Sequence, residues 1–338
     1  MNSKINRRDF LRKSAVSGVA FGLGSASFSF NKPSSQEDVR IGMIGLDTSH
    51  VIAFTRIIND PEEKAMEGYR ITAAYPTRGS VDFPPSITRL ERFTQEISDM
   101  GVEIVDSIDK LLQKVDVILL TSVDGRRHLA ESLPVFEAGK RMFIDKPVAG
   151  SLKDAIAIYE AAEKYKVPVF SSSSHRWTRY AEELRQGRLV GKVLGANTHN
   201  SAAIQPTHPD LFWYGIHGVE MLFTVMGTGC KEVVRVHQPD FDIVVGTWND
   251  GRLGTYRGVR AGRIINGGTA FGEEGVHQIG PSEGYRPMLL DIIEFFKTGI
   301  VPVRPEETLE ICAFMEAADE SKRRGGQPVQ LNEMFSIT

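Results

Sequence analysis

The chain has 338 residues, with 40 basic and 43 acidic side chains, a formal net charge of -3 and 41% hydrophobic residues. This balance gives no bulk charge to attract nucleic acid or an anionic membrane, and the length favours two domains. The only two cysteines, Cys230 and Cys312, are far apart in the sequence. They predict buried thiols, with neither a disulfide framework nor a metal site.

The first 38 residues have the layout of a targeting segment. Residues 6–13 carry adjacent arginines followed by Asp-Phe-Leu, residues 15–28 are mildly apolar and rich in Gly, Ala and Ser, and residues 31–38 form a polar linker. The order is that of a signal peptide, and the paired arginines resemble the twin-arginine signal of bacteria. The apolar part is too short to span a membrane. We therefore expect an exported, periplasmic protein.

From Val39 onward, short apolar strands alternate with helices. Strands are predicted at 39–45, 69–75, 102–105, 115–121 and 141–145, and helices at 49–58, 87–100 and 108–114 and before Gly139. The almost wholly apolar segment 115–121 suits a strand that is buried on both faces of a parallel sheet. This alternation predicts a doubly wound α/β domain, which binds ligands at the carboxyl ends of its strands.

The first predicted strand ends in a modified glycine turn. Dinucleotide-binding domains have G-x-G-x-x-G here, but this chain keeps only Gly45, with Asp47 and His50 at the other two glycine positions. The carboxylate of Asp47 would repel a phosphate, whereas Thr48 and Ser49 offer hydroxyl donors at the helix start. We expect all five residues to contact a cofactor.

The second predicted strand ends without the acid that usually binds the adenosine ribose. Thr77, Arg78 and Ser80 follow that strand instead. An arginine with neighbouring hydroxyls suits a 2′-phosphate and so favours NADP, although a solvated loop arginine is the alternative. The choice between NAD and NADP stays open.

Lys146 follows the strand at 141–145 and precedes Pro147. A lysine held at a strand end by a proline turn is placed to meet a substrate, where its ammonium group could stabilise an alkoxide or bind a hydroxyl. Its immediate neighbour is Asp145.

Six segments, in the same order along the chain, resemble the Gfo/Idh/MocA oxidoreductase family. The segment 138–149, Ala-Gly-Lys-Arg-Met-Phe-Ile-Asp-Lys-Pro-Val-Ala, resembles the family's "EAGKHVLCEKPLA" signature. The segment 121–128 resembles its "TPN…H" loop. The others lie at 161–177, 187–193, 272–275 and 308–331. The resemblance covers residues 39–331 and implies cofactor contacts by Thr121, Ser122, Asp145 and Lys146.

The resemblance also implies the domain order. We expect a signal and linker at 1–38, a Rossmann domain at 39–150 and a substrate and oligomerisation domain at 151–338, whose terminal helix is a candidate to pack back on the first domain. The second domain should contain a large, mostly antiparallel open sheet, and in the family its outer face often forms dimers. Strands at 193–199, 233–237, 243–248 and 253–257, with the Asn249-Asp250-Gly251 turn, agree with such a sheet.

The family's D-x-x-x-H pattern aligns with residues 213–217, so the resemblance implies that His217 is catalytic together with Lys146. An imidazole can remove a hydroxyl proton while hydride leaves the same carbon. Trp213 stands at the aspartate position, a departure that puts standard dehydrogenation in question, and it could stack on a sugar ring or nicotinamide. The expected substrate contacts are Arg176, His208, Asp210, Trp213 and Tyr214.

Three functional hypotheses follow. The first is an NAD(P)-dependent oxidoreductase that transfers hydride between bound nicotinamide and a sugar or cyclitol hydroxyl, with NAD or NADP tightly bound because free dinucleotide is scarce outside the cytoplasm. The second is a redox-neutral, NAD-dependent enzyme that cleaves a glycosidic bond. The third is a non-enzymatic carbohydrate-binding relative that has lost the cofactor, which Asp47 and Trp213 favour. The expected partners are a sugar-like substrate, the export machinery and further copies of the chain.

Overall fold

The computed structural model describes residues 38–337. The predicted signal lies outside the described residues. Within residues 38–337, no helix is both long and apolar enough to cross a bilayer. Cys230 and Cys312 are both buried as free thiols, as predicted.

A six-stranded parallel sheet forms the core of the N-terminal part, in the order β3-β2-β1-β4-β5-β6. All of its strands run in the same direction, so their carboxyl ends meet at one edge, and the strand order reverses between β1 and β4. This confirms the predicted doubly wound sheet and places a ligand crevice at the β1–β4 junction. The strands are β1 (Val39–Ile44), β2 (Tyr69–Tyr75), β3 (Glu103–Ile104), β4 (Val117–Leu120), β5 (Met142–Asp145) and β6 (Val169–Ser172).

Helices cover both faces of this sheet. Pro84 and Pro85 start the second helix earlier than predicted, because proline is tolerated in the first helical turn. Ser107 caps the third helix by accepting a hydrogen bond from the amide of Lys110. The helices are α1 (His50–Ile58), α2 (Pro84–Asp99), α3 (Ile108–Leu112), α4 (His128–Glu137) and α5 (Leu152–Tyr165).

The first sheet is completed by residues from beyond position 150, where the sequence placed the domain boundary. Strand β6 adds to its edge, and α8 (Arg286–Thr298) packs on its face. Phe170 of β6 lies between Phe143 of β5 and Phe295 of α8, with ring centroids 5.0 Å apart in each pair. Both later segments therefore belong to the core of the N-terminal layer.

A seven-stranded sheet forms the second layer, in the order β12-β11-β7-β10-β9-β8-β13. Only the β7–β10 pair is parallel, so the sheet is mostly antiparallel, as expected. The predicted turn at Asn249–Gly251 joins β9 to β10, and Glu273 and Glu274 form the turn between β11 and β12. The strands are β7 (Val193–Ser201), β8 (Cys230–Gln238), β9 (Phe241–Trp248), β10 (Leu253–Val259), β11 (Gly267–Gly272), β12 (Gly275–Ile279) and β13 (Val329–Gln330).

One face of this second sheet is covered and the other is open. Helices α7 (Ile216–Met226) and α9 (Pro305–Arg323) cover the inner face, on which Val244 and Tyr256 are fully buried. Exposed apolar side chains lie on the outer face: Val236, Phe241, Leu253, Phe271 and Val276. The remaining helices are α6 (Ala181–Arg185) and α10 (Leu331–Ile337), and a π-helical segment spans Leu211–Gly215.

Candidate active site

The carboxyl ends of β5 and β6 meet the first turn of α7 and bring together a lysine, two histidines and a tyrosine. We call Lys146, His175, Tyr214 and His217 the polar cluster. The Nζ atom of Lys146 lies 5.3 Å from the centroid of the Tyr214 ring. Burial lowers the pKa of Lys146, and the attraction of Asp145 opposes this shift only in part. The ammonium group is therefore held in an environment from which it can release a proton more easily than in water.

His217 lies at the centre of the polar cluster. Its Nδ1 atom is 2.6 Å from the hydroxyl of Ser173, and its ring centroid is 4.7 Å from that of His175 and 5.8 Å from that of Tyr214. Burial, followed by the charge of Lys146 and by His175, lowers the pKa of His217 well below its ordinary value. The imidazole is therefore neutral at neutral pH and able to accept a proton.

His175 is also neutral, because burial and the charge of Lys146 lower its pKa to about 4. It follows β6 in the short helical segment Ser174–Trp177, whose start is capped by the hydroxyl of Ser173. Sequence reasoning missed Ser173 and His175 as site residues. The signal was available, because a strand at 169–172 next to β5 must end at the same edge as Lys146.

His50, predicted as a cofactor contact, lies beside the cluster at the start of α1. Its Nδ1 atom hydrogen-bonds to the Oδ2 atom of Asp145, and its ring lies 4.9 Å from that of Tyr285. The Oδ1 atom of Asp145 accepts the amide of Lys146 at 2.9 Å. Burial opposes ionisation of Asp145, but the attraction and hydrogen bond of His50 prevail and lower its pKa. The carboxylate is therefore charged and fixed from two sides.

Of the predicted substrate residues, Tyr214 belongs to the cluster, and Trp213 and His208 continue from it in a row. The ring centroids of Trp213 and Tyr214 are 6.0 Å apart, and those of His208 and Trp213 are 4.7 Å apart. The Nε2 atom of His208 lies 3.2 Å from Asp124. These aromatic side chains can form one wall of a sugar-sized site.

Arg176 and Asp210 are not brought to the cluster. The buried guanidinium of Arg176 pairs with Glu220 at 2.8 Å and with Glu307. Asp210 accepts hydrogen bonds from Arg235 at 3.0 Å and Lys322 at 2.6 Å. Their charges are neutralised inside the fold, so in this arrangement they hold the second domain together.

The predicted dinucleotide crevice lies between the turns that follow β1 and β4, and these turns are in close contact. Gly45 has φ +88°, and a β-carbon there would lie 2.2 Å from the Ser122 hydroxyl. The hydroxyl of Thr121 donates to the carbonyl of Gly45 at 2.7 Å. Asp47 is only 1% exposed, and its Oδ1 atom accepts the amide of Val123 at 2.9 Å. The carboxylate of Asp47, which was predicted to repel phosphate, therefore points into the protein interior.

Residues 77–86, which we call the strap, run from the end of β2 into α2 across this crevice. The hydroxyl of Ser86 donates to Asp47, and the hydroxyl of Ser80 donates to Asp124 at 2.6 Å. Thr77, another predicted contact, is buried with φ +63°, whereas Arg78 is exposed to solvent. The strap therefore hydrogen-bonds to a carboxylate on each side of the crevice, Asp47 after β1 and Asp124 after β4.

In this arrangement the predicted residues do not fit a dinucleotide. A pyrophosphate needs open backbone amides and hydroxyls at the β1 turn. Thr48 and Ser122 are buried, and the Ser122 hydroxyl donates to Glu131 at 2.6 Å, which leaves Ser49 as the exposed residue of the turn. The residues of the polar cluster lie together, but the groups that would bind the pyrophosphate are hydrogen-bonded within the chain instead.

Comparison with known proteins finds a family model that matches part of the chain. Residues 84–173 match the model of the GFO_IDH_MocA family, described as "Oxidoreductase family, NAD-binding Rossmann fold". Over 126 residues the chain is 29% identical to inositol 2-dehydrogenase 3 of Saccharopolyspora erythraea, a match that covers 36% of this chain. It spans about a third, 32%, of that relative's length.

Solved structures agree over most of the described fold. The probable dehydrogenase of Thermotoga maritima superposes with a TM-score of 0.72 at 20% identity, covering 88% of this chain and 100% of that one. The myo-inositol 2-dehydrogenase of Lactobacillus plantarum gives a TM-score of 0.71 at 15% identity, with 87% and 99% covered. At these identities the likeness establishes the two-layer fold.

Proposed function

We propose that this chain, which is similar to the Gfo/Idh/MocA oxidoreductase family over residues 84–173, is an NAD(P)-dependent oxidoreductase that acts on a hydroxyl of a sugar or cyclitol. The observation that carries the proposal is the polar cluster, in which Lys146 and a neutral His217 lie together at the ligand-binding edge of a doubly wound sheet. The similarity to inositol 2-dehydrogenase supports a polyhydroxylated substrate.

The roles of the cluster follow from its electrostatics. The Lys146 ammonium binds the oxygen of the reacting hydroxyl and favours its negatively charged form. His217 accepts the hydroxyl proton, because its low pKa keeps the imidazole unprotonated. The tautomer with a proton on Nδ1 donates to Ser173 and leaves Nε2 as the base. Tyr214 and Trp213 stack on the substrate ring and orient it.

We propose NAD or NADP as the cofactor, tightly bound in the working enzyme. The match of residues 84–173 to a family described as having an NAD-binding Rossmann fold supports a dinucleotide. Arg78, exposed in the loop after β2, supports a 2′-phosphate contact. Mass spectrometry of the small molecules released from protein purified with its native leader tests both points.

A second candidate is a carbohydrate-binding relative that works without a cofactor. The burial of Asp47 and its bond to the strap favour it. Retained affinity for sugars or cyclitols, with no binding of NADH or NADPH in any variant, would select this candidate over the oxidoreductase.

The enzymatic proposal is tested by incubating the protein with NAD and NADP and a panel of cyclitols and aldoses, and by following absorbance at the nicotinamide band together with chromatography of the products. Conversion of one hydroxyl to a ketone, lost in the Lys146→Met variant, supports it. The absence of any oxidised product from a protein that binds both dinucleotide and sugar would contradict it.

We further propose that the protein is exported by the twin-arginine route to the periplasm and assembles with copies of itself. The adjacent arginines Arg7 and Arg8 support export. The exposed apolar outer face of the second sheet supports assembly. Cell fractionation of the Arg7→Lys/Arg8→Lys variant, and sedimentation of the Val236→Asp variant, test the two points separately.

A further inference from the structure

We propose that the strap and the dinucleotide compete for the same crevice, so that residues 77–86 must leave the β1 and β4 turns before the cofactor can bind. This inference rests on the proposed function, because it concerns the binding of that enzyme's cofactor. It follows from the groups that hold the strap in place.

The inner side of the strap bonds to the turns that would contact the cofactor. Ser86 donates to Asp47, at the second glycine position of the dinucleotide motif, and Ser80 donates to Asp124 at 2.6 Å. The amide of Ser80 donates back to the Ser86 hydroxyl at 2.8 Å, so the strap is closed on itself. A pyrophosphate at the start of α1 would bring two more negative charges next to Asp47 while the strap hydroxyls still occupied the space.

The outer side of the strap links the crevice to the substrate domain. Arg126 donates to both carboxylate oxygens of Asp82, at 2.8 and 2.7 Å, and to the carbonyl of Thr207 at 2.8 Å. The ring of Phe83 meets Trp213 edge to face, with centroids 4.7 Å apart. Displacing the strap therefore also releases the aromatic wall beside the polar cluster, which couples cofactor binding to the shape of the substrate site.

The strap is built to move at moderate cost. Its residues before Pro84 form no helix or strand, and Val81 at its tip is 90% exposed. Thr77 is held at φ +63°, a left-handed conformation that costs a β-branched residue on the order of 1 kcal/mol or more. The ion pair between Asp82 of the strap and Arg126 is partly exposed, so salt weakens it. Opening breaks the hydrogen bonds of Ser80 and Ser86 and the ion pair of Asp82, and it relieves the strain at Thr77.

Variants that loosen the strap test the competition. Asp47→Gly removes the acceptor of Ser86 and a negative charge, while Ser86→Ala removes the donor and leaves the charge unchanged. We expect both to bind NADH or NADPH more tightly than the unaltered protein in titration calorimetry, by at least about tenfold and about threefold respectively, equal to about 1.4 and 0.7 kcal/mol. Ser107→Ala, which removes a hydroxyl from the cap of α3, should leave the affinity unchanged.

Hydrogen exchange provides a readout that affinity alone does not. The amides of Ser80, Phe83 and Ser86 are hydrogen-bonded within the strap. In the unaltered protein, saturation with NADH or NADPH should speed their exchange by about tenfold or more, because binding displaces the strap. Slower exchange of these amides on binding, with equal affinity in Asp47→Gly and the unaltered protein, would overturn the inference.

The remaining outcomes separate this inference from the proposed function. Tighter dinucleotide binding by both variants without oxidation of any cyclitol or aldose would keep the strap competition and remove the oxidoreductase. Oxidation of a cyclitol or aldose by a protein whose strap amides stay protected from exchange would keep the oxidoreductase and remove the strap competition. Failure of the unaltered protein and of both variants to bind NADH and NADPH would remove both.

Discussion

His50 hydrogen-bonds through its Nδ1 atom to the buried carboxylate of Asp145, the residue directly before Lys146. A histidine thus stands where a dinucleotide motif usually has its third glycine, and it ties the start of α1 to the end of β5. The bond keeps a charged carboxylate beneath the polar cluster. It therefore sets the electrostatic surroundings of Lys146.

Replacing His50 by alanine should destabilise the fold, because Asp145 is left buried without its main partner. We expect a loss of about 3 kcal/mol in the free energy of unfolding in urea at pH 7. The lowered pKa of Asp145 gives the unaltered protein stability above the unfolded value, about 3.9, that is lost as the pH falls through the folded value. The difference between the two proteins should therefore shrink below pH 4. His277→Ala, which removes a half-buried histidine packed on Tyr180 and not paired with a buried carboxylate, should cost less than His50→Ala.

Lys146→Met should abolish most of the proposed activity while keeping the fold. Methionine fills the same apolar path without the ammonium group, so stabilisation of the developing alkoxide is lost, and we expect turnover to fall by about a hundredfold or more. Lys164→Met, on the exposed surface of α5, serves as the control. Turnover within a factor of about three of the unaltered protein would remove Lys146 from the mechanism.

The rate should not fall near pH 6.5 on the acid side. Burial lowers the pKa of His217 well below that of a free imidazole, and burial with the charge of Lys146 lowers the pKa of His175 to about 4, so neither group should give an acid limb near pH 6.5. The lowered pKa of Lys146 should instead produce an early loss of activity on the alkaline side. A profile of kcat/KM against pH checks this, and an acid limb centred near 6.5 would show that the base is an ordinary, exposed imidazole.

Gly45→Ala should be far more costly than Gly101→Ala. Both glycines have a positive φ, +88° and +83°, but a β-carbon at Gly45 would lie 2.2 Å from the Ser122 hydroxyl, whereas one at Gly101 meets nothing within 4 Å. We expect about 1 kcal/mol of destabilisation for Gly101→Ala, from the backbone alone, and at least about 3 kcal/mol for Gly45→Ala. Equal melting temperatures for the two variants would contradict the close contact of the β1 and β4 turns.

The ion cluster around Arg235 should give the second domain a pH dependence. Burial raises the pKa of Asp319 to about 7, against the attraction of Arg235. A raised carboxyl pKa contributes stability that is present below the unfolded value, about 3.9, and is lost as the pH rises through 7. Relative to Asp319→Asn, the unaltered protein should therefore lose about 4 kcal/mol between pH 4 and pH 8 in urea unfolding. A pH-independent difference would contradict this shift.

Local patterns were enough to predict much of the fold. Strand β2 has the predicted bounds, and the apolar segment around β4 is buried on both faces because alternation of strand and helix leaves no exposed face. The cap at Ser107 and the turn at Asn249 also depend on neighbouring residues alone. Such features are encoded within a few residues, so one sequence is sufficient to find them.

Features that join distant segments were out of reach. Tyr285 lies beside His50 although 235 positions separate them, and no local pattern points to it. Arg176 pairs with Glu220 and Glu307, which lie far from it in the sequence, so its local sequence could not exclude a substrate contact. The role of Asp47 depends on Ser86, in another element, so its side chain could only be predicted to face a phosphate.

The dependence of the first sheet on β6 and α8 has a consequence for synthesis of the chain. A nascent polypeptide that has emerged from the ribosome only as far as β5 would expose Phe143 to water. At that stage Phe170 would still lie in the ribosomal tunnel and Phe295 would not yet have been synthesised. The N-terminal layer can acquire its final packing only after Thr298 has emerged. Maturation is therefore a late, whole-chain event, and a fragment ending at residue 150 should be captured by chaperones rather than fold by itself.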